Sequence, residues 1–184
     1  MVVNVGYRHA PEHPFPLPVE DSFEGLLWTF AHIDEIGGDP NLVLTAGNSA
    51  GGNLATVVTR RLRDSGRKER VAAEILRVPV TCHPDVMPAD LADPSSSYRY
   101  YSDAPILPTK VMDDFWYFYN PGEKASSLDA SPLLATEFKE FPPTYISVCG
   151  CDPLRDQGVA YANKLEEAGV VVKFEEMPGY PHGN

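Results

Sequence analysis

The chain has 184 residues, enough for one domain with a sizeable core, and its 43% hydrophobic and 22% charged residues are those of an ordinary globular protein. Acidic residues outnumber basic ones 26 to 15, for a formal charge of −11, a sign that repels phosphate backbones and excludes nucleic acid as an expected partner. No stretch approaches the roughly 20 apolar residues of a membrane span, and no basic segment followed by a long apolar run marks a secretory leader near Met1.

A cytoplasmic setting with reduced thiols is therefore expected. Of the three cysteines, Cys149 and Cys151 flank only Gly150, too close for ordinary disulfide geometry. The 18 prolines cluster, as at Pro14, Pro16 and Pro18 or Pro142 and Pro143, and read as loop punctuation.

In chain order, Val2–Tyr7 is short and valine-rich and predicts a buried strand. After a proline-rich loop, Pro18 opens a helix, with Glu20 and Asp21 at the positive end of its dipole. Phe23, Leu26, Leu27, Phe30 and Ile33 follow at helical spacing, and Gly37–Gly38 ends the segment. Asn41–Ala46 predicts a second buried strand, Asn53–Arg63 a helix with Leu54, Val57, Val58 and Leu62 on one face, and Ala73–Thr81 a third strand. The six basic residues from Arg60 to Arg70 are expected to offset the negative end of that helix dipole.

Residues 83–140 break the rhythm with loops, prolines and one aromatic run, Phe115–Tyr119, and predict an insertion or lid within a single domain spanning 1–184. Regularity returns with a strand at Thr144–Gly150, a helix at Gly158–Ala168 and a last strand at Val170–Glu175. Strands alternating with helices predict an α/β fold, a mainly parallel sheet covered by helices on both faces.

The chemistry centres on Gly47-x-Ser49-x-Gly51, set after a predicted strand and before a predicted helix. A sharp strand-to-helix turn lifts the serine hydroxyl above the sheet edge, and the crowding of that turn calls for glycine on either side. The N–H of Ala50, at the head of the helix, is then the expected oxyanion donor. A phosphate-binding glycine loop would need a Gly-Lys-Ser/Thr ending or an ordered Gly-x-Gly-x-x-Gly, and neither is present.

A serine hydroxyl needs a base, and the base an orienting carboxylate, in the chain order serine, acid, histidine for this fold. His182 lies just beyond the last strand, and Asp152 just after the strand before it, with Asp156 as the nearest rival. His83 comes too early for that order, and Cys82-His83 reads as a buried cysteine at a strand end rather than a reactive pair. His9 and His13 have the spacing of helical zinc ligands, but Pro11 and Pro14 oppose a helix there, so no metal is expected.

Several segments resemble the hormone-sensitive-lipase-like esterases. Tyr7-Arg8-His9-Ala10-Pro11-Glu12 is similar to their Tyr-Arg-x-Ala-Pro-Glu segment, and Gly47-Asn48-Ser49-Ala50-Gly51-Gly52 to their Gly-Asp-Ser-Ala-Gly-Gly elbow. Ser131-Pro132-Leu133-Leu134, Asp152-Pro153-Leu154-Arg155-Asp156 and Pro181-His182-Gly183 match in the same way, so the resemblance runs from Tyr7 to Gly183. It implies an α/β-hydrolase fold, with Ser49 as nucleophile, Asp152 as acid and His182 as base. The implied substrate is a small-molecule ester, hydrolysed without a metal or organic cofactor. It also implies that the insertion roofs the acyl site, which makes Trp116 a candidate pocket residue.

The sequence departs from that family at Asn48, where aspartate is usual, and at Asn184, where an aromatic often follows His-Gly. The His-Gly-Gly-Gly segment that supplies further oxyanion donors is not among these residues. The chain is accordingly expected to lack N-terminal strands and the final helix of the family fold. Loss of one oxyanion donor costs on the order of 100- to 1000-fold in turnover. The alternatives to an esterase are a non-catalytic ligand-binding relative, against which the presence of His182 argues, and an inactive fragment, which the missing oxyanion segment favours.

Overall fold

A computed structural model describes residues 1–183; Asn184 lies outside them. The helices and strands run α1 (Leu17–Ala31), β1 (Leu44–Asn48), α2 (Ala50–Asp64), β2 (Ala73–Arg77), α3 (Ser97–Tyr100), α4 (Thr109–Tyr119), β3 (Thr144–Cys149), α5 (Arg155–Glu167) and β4 (Val172–Met177). The four strands form one parallel sheet in the order β1-β2-β3-β4. All carboxyl ends therefore fall on one edge, the edge where ligands bind in open α/β sheets.

One expected strand is not formed. Residues 2–7 belong to no ladder, and Val2 is 91% exposed. A strand exists only where a neighbour accepts its backbone hydrogen bonds, and the described residues put none beside this segment. β1 begins later than expected and runs to Asn48, so that it feeds directly into the elbow.

β2 stops at Arg77, short of the expected Thr81. Val78 turns to φ +40 and Pro79 carries no N–H, so the ladder cannot continue. The amides of Thr81 and Cys82 instead donate to Gln157 Oε1, at 2.6 and 2.9 Å. α5 starts at Arg155, ahead of the expected Gly158. Gly158 lies inside the helix because it rides close on the sheet: a Cβ there would meet Val148 Cγ1 at 2.7 Å.

The helical cover is one-sided. Thr56 of α2 and Tyr161 of α5 share a hydrogen bond of 2.5 Å over the face that carries Thr45, Glu74 and Thr144. On the opposite face Leu44 is 51% and Ile75 36% exposed, where the alternating pattern predicted helices on both sides. No helix among the described residues covers them.

The main core joins Leu76 and Ile146 of the sheet to Tyr161 and Leu165 of α5 and to Leu133 and Phe138 of the insertion. Full burial of each aliphatic side chain contributes about 1.5–3 kcal/mol. A second cluster packs Tyr98, Leu107, Met112 and Trp116 of the insertion onto Val80 and Leu154, beside the carboxyl edge. A third packs α1 on α2 through Leu26, Val58 and Leu62.

The three arginines of the basic run that lie on α2 are paired within the protein. Arg60 and Arg61 both bind Asp129 of the insertion, Arg61 also binds Glu20, and Arg63 binds Asp64 and two backbone carbonyls. These pairs tie α1, α2 and the insertion together, a role beyond the expected dipole compensation.

Glu74 on β2 is 1% exposed, and burial pushes its carboxyl up to about 7, against the opposing hydroxyls of Thr59, Thr144 and Thr56. The unfolded chain ionises it near 4.5, so between those values the folded state holds more protons than the unfolded one. Its contribution is fully present below about 4.5 and is lost as pH rises through about 7, a change on the order of 3 kcal/mol. Urea midpoints for Glu74→Gln and the parent should therefore match near pH 4.5 and diverge in favour of the variant by pH 8. A pH-independent difference between the two would show that Glu74 is not held protonated.

Candidate active site

The turn from β1 into α2 is tight enough to dictate its own residues. Ser49 adopts φ 56 and ψ −118, a conformation costly for a side-chain-bearing residue. Its N–H donates to Arg77 O at 2.9 Å, and its carbonyl accepts from Asn53 N at 3.1 Å and Val80 N at 3.3 Å. Both flanks of the strained residue are thus held by backbone bonds.

Gly47 is required by space: a Cβ there would sit 2.0 Å from Gly51 O. The expected crowding at Gly51 itself is not found, since a Cβ at that position meets nothing within 4 Å. The tight contact falls one residue later, at Gly52, where a Cβ would meet Pro79 at 3.0 Å. Asn48 ends β1 with an exposed side chain, so the exchange from aspartate leaves the turn intact.

The other half of the sheet supplies two side chains. Asp152 follows β3 and is 1% exposed; its Oδ1 accepts from Leu154 N at 2.9 Å and its Oδ2 faces His182 Nδ1 at 2.7 Å. His182 Nε2 in turn lies 2.9 Å from Ser49 Oγ. The histidine loop is pinned to the end of β3 by Gly150 N to Met177 O at 2.9 Å and Cys151 N to Tyr180 O at 3.0 Å. Three residues separated by up to 133 positions thus form one hydrogen-bonded line. Asp156, the rival acid, is committed elsewhere: it accepts from Ser97 N at 2.6 Å and Arg155 Nε at 2.8 Å.

Ser49 and Ala50 open onto a pocket of about 330 Å³. The Ala50 N–H is the first of α2, where helix geometry provides no partner within the helix. The remaining wall is mostly aromatic, with Trp116, Phe115, Phe118 and Tyr119 from α4 and Tyr7 from the N-terminal loop. Trp116, singled out in the sequence, is among them.

His9 also lines the pocket, although the sequence raised it only as a metal ligand. It is brought there by a fork from Arg8 Nε and Nη2 to Asp21 at 2.8 and 2.7 Å, which fixes the loop to α1 and holds the Asp21 carboxyl down at about 2. No local pattern marks residues 7–10 as pocket wall, because the fork spans 13 positions. His13 N–H donates to His9 O in a turn rather than a helix, and no cluster of metal-ligating side chains occurs among the described residues.

Cys82 and His83 do not form a reactive pair. The Cys82 thiol is fully buried, points to the carbonyls of His83 and Val86, and is pushed up to about 11 by burial. His83 accepts from Asp85 N at 3.1 Å and packs its ring on Trp116, and burial lowers its pKa. Cys149 is buried and Cys151 half-buried.

Comparison with known proteins adds an independent line. A family model described as the α/β-hydrolase fold matches residues 1–184. The chain is 38% identical to carboxylesterase NlhH of Mycobacterium tuberculosis over all of its own length and 56% of that protein's. It is 36% identical to versiconal hemiacetal acetate esterase of Dothistroma septosporum, over 99% of this chain and 56% of that one. Its fold superposes on the crystal structure of vibralactone cyclase with a TM-score of 0.91 at 33% identity, covering 97% of this chain and 52% of that one. The chain thus spans about half the length of the relatives it matches.

The geometry of the turn separates its glycines. Gly47→Ala forces backbone atoms apart and should lower stability by about 2 kcal/mol or more. Gly51→Ala, in open space on a helix, should be neutral or gain up to about 1 kcal/mol. Thermal unfolding of the two variants checks this, and equal losses would reject the crowding argument.

Proposed function

We propose, from the premise that the chain belongs to the α/β-hydrolase fold family, that it carries the core of a serine hydrolase acting on carboxylic esters of small molecules. The observation that carries this reading is the hydrogen-bonded line from Asp152 through His182 to Ser49 at the mouth of an apolar pocket. Relatives at 36–38% identity that bear the names of esterases support it, and they favour hydrolysis over a non-catalytic binding role.

In this reading Ser49 Oγ attacks the ester carbonyl carbon while His182 Nε2 takes its proton. Asp152 holds Nδ1–H and so fixes the tautomer that leaves Nε2 free to accept. The carbonyl π electrons move onto oxygen, and the oxyanion meets the Ala50 N–H and the positive end of α2. Collapse expels the alcohol, which takes the proton from His182 and leaves an acyl-Ser49 ester. Water then attacks with His182 as base again, and the acid leaves.

Residues 83–140 act as the insertion over the acyl site, and Trp116 contributes to acyl selection. No metal or organic cofactor enters any step, and neither nucleic acid nor a membrane is a partner in this reading; a cytoplasmic setting belongs to the same proposal. No helix among the described residues is long and apolar enough to cross a membrane.

The protein is expected to hydrolyse a short aryl ester such as 4-nitrophenyl acetate, with Ser49→Ala lowering turnover at least about 1000-fold. Equal inactivity of parent and variant would reject the esterase reading. Trp116→Ala should shift the ratio of acetate to hexanoate hydrolysis by about 10-fold or more; an unchanged ratio removes Trp116 from the pocket.

A further inference from the structure

The polar side chains on the pocket wall fall into two groups. Those of the first are committed or sealed. Ser49 Oγ faces His182 Nε2, the Asn53 amide nitrogen donates to Val80 O and Ala130 O at 2.9 and 3.2 Å, and Trp116 Nε1 and Tyr119 Oη are closed off from the cavity. Tyr7 and His9 are neither. His9 is exposed on the wall, and its ring makes no hydrogen bond to any described residue. Tyr7 is half-buried, and its hydroxyl also lacks a partner among the described residues, yet it is not one of the atoms closed off from solvent. The two rings meet edge to face with centroids 4.8 Å apart, so they form one patch of wall.

The patch is held in place from several sides. Arg8, between the two in sequence, forks onto Asp21 of α1 and donates its own N–H to the same carboxylate at 2.9 Å. Phe15 N donates to Tyr119 O at 2.8 Å, which ties the loop to α4, and Tyr7 and Phe15 pack on Val19, Leu54 and Val57. Polar groups on a fixed wall offer hydrogen bonds at little ordering cost. The chemistry of the wall narrows what they would take. No lysine, arginine, aspartate or glutamate among the described residues lines the pocket, and the chain carries a formal charge of −11, which disfavours an anion. An imidazole and a phenol each donate and accept, which matches a hydroxyl, a neutral group that does both.

We propose that Tyr7 and His9 form a subsite for a hydroxyl on the alcohol portion of the ester, while the acyl portion lies against Trp116 on α4. This substrate class rests on the esterase reading for its chemistry, but the recognition itself does not depend on turnover.

Binding to Ser49→Ala, followed by titration calorimetry, separates the two. The probes are 4-(hydroxymethyl)phenyl acetate and its isosteric hydrocarbon counterpart, 4-ethylphenyl acetate. Burial of apolar surface alone would favour the ethyl ester. The hydroxymethyl ester is instead expected to bind about 5-fold tighter. Adding His9→Leu or Tyr7→Phe should each reduce that ratio several-fold, whereas His9→Gln, which keeps a donor and an acceptor, should retain most of it. Neither polar group has a protein partner to lose, so the thermal midpoints of these variants should match that of Ser49→Ala, which excludes misfolding as the cause. The anionic 4-carboxyphenyl acetate should bind more weakly than the hydroxymethyl ester.

Equal or tighter binding of the ethyl ester, or a ratio untouched by both His9→Leu and Tyr7→Phe, would mean the two side chains are merely hydrated and would overturn the proposal. Equal losses in His9→Leu and His9→Gln would overturn its hydrogen-bonding basis. Tighter binding of the carboxyphenyl ester would overturn the assignment to a neutral group. A parent protein inert toward esters whose Ser49→Ala form still shows the preference would reject the hydrolase reading and leave the recognition standing.

Discussion

The tightest constraint in this molecule is the backbone at Ser49. A residue with a side chain is held at positive φ, and the surroundings over-determine it. Gly47 passes under the Gly51 carbonyl, Gly52 presses on Pro79, and the Ser49 amide and carbonyl are bonded to the far end of β2. Strain of this kind persists only where packing on both sides forbids relief. Here the second side is itself strained, since Val78, a β-branched residue, also sits at positive φ and donates to Ser147 O. The ends of β1 and β2 thus hold one another in conformations that neither would adopt alone.

The other partners arrive by ordinary sheet logic. In a parallel sheet every strand delivers its following loop to the same edge, so the residues after β3 and β4 reach the end of β1 without special devices. What aligns them to hydrogen-bond distance is a set of loop-to-loop backbone bonds, from Gly150 to Met177 and from Cys151 to Tyr180. Leu154 N then fixes the free oxygen of Asp152, leaving the other for His182. The insertion is fastened separately, by Asn53 to Ala130 and by Asp129 to the two arginines of α2. Met112 and Trp116 of the α4 wall cluster with Val80 and with Leu154, two residues after Asp152.

Buried polarity is used in two different ways. Under the sheet, Glu74 lies among threonine hydroxyls and Tyr161, in a cluster that costs stability at high pH and touches no pocket residue. Beside Ser49, by contrast, Asn53 on the pocket wall is buried with its amide committed to Val80 O and Ala130 O.

Much of this was written in the sequence. Gly47-x-Ser49 between an apolar run and a helical period marked the elbow, because a Cβ at Gly47 would collide with Gly51 O. Asp152 and His182 followed from chain order and from loops that trail strands, and the element sequence determined a parallel sheet. The tertiary structure alone decided the rest. Residues 2–7 have strand-like composition but pair with no strand among the described residues, because a strand is a property of two neighbouring segments and not of one. β2 ends at Arg77 because Val78 turns to positive φ, and the amides of Thr81 and Cys82 pair instead with Gln157, a residue far along the chain. His9 reaches the pocket through the Arg8–Asp21 fork, and Gly52 rather than Gly51 bears the crowding because Pro79 lies against it. Each of these depends on contacts between distant positions, which local periodicity and motif spacing do not encode.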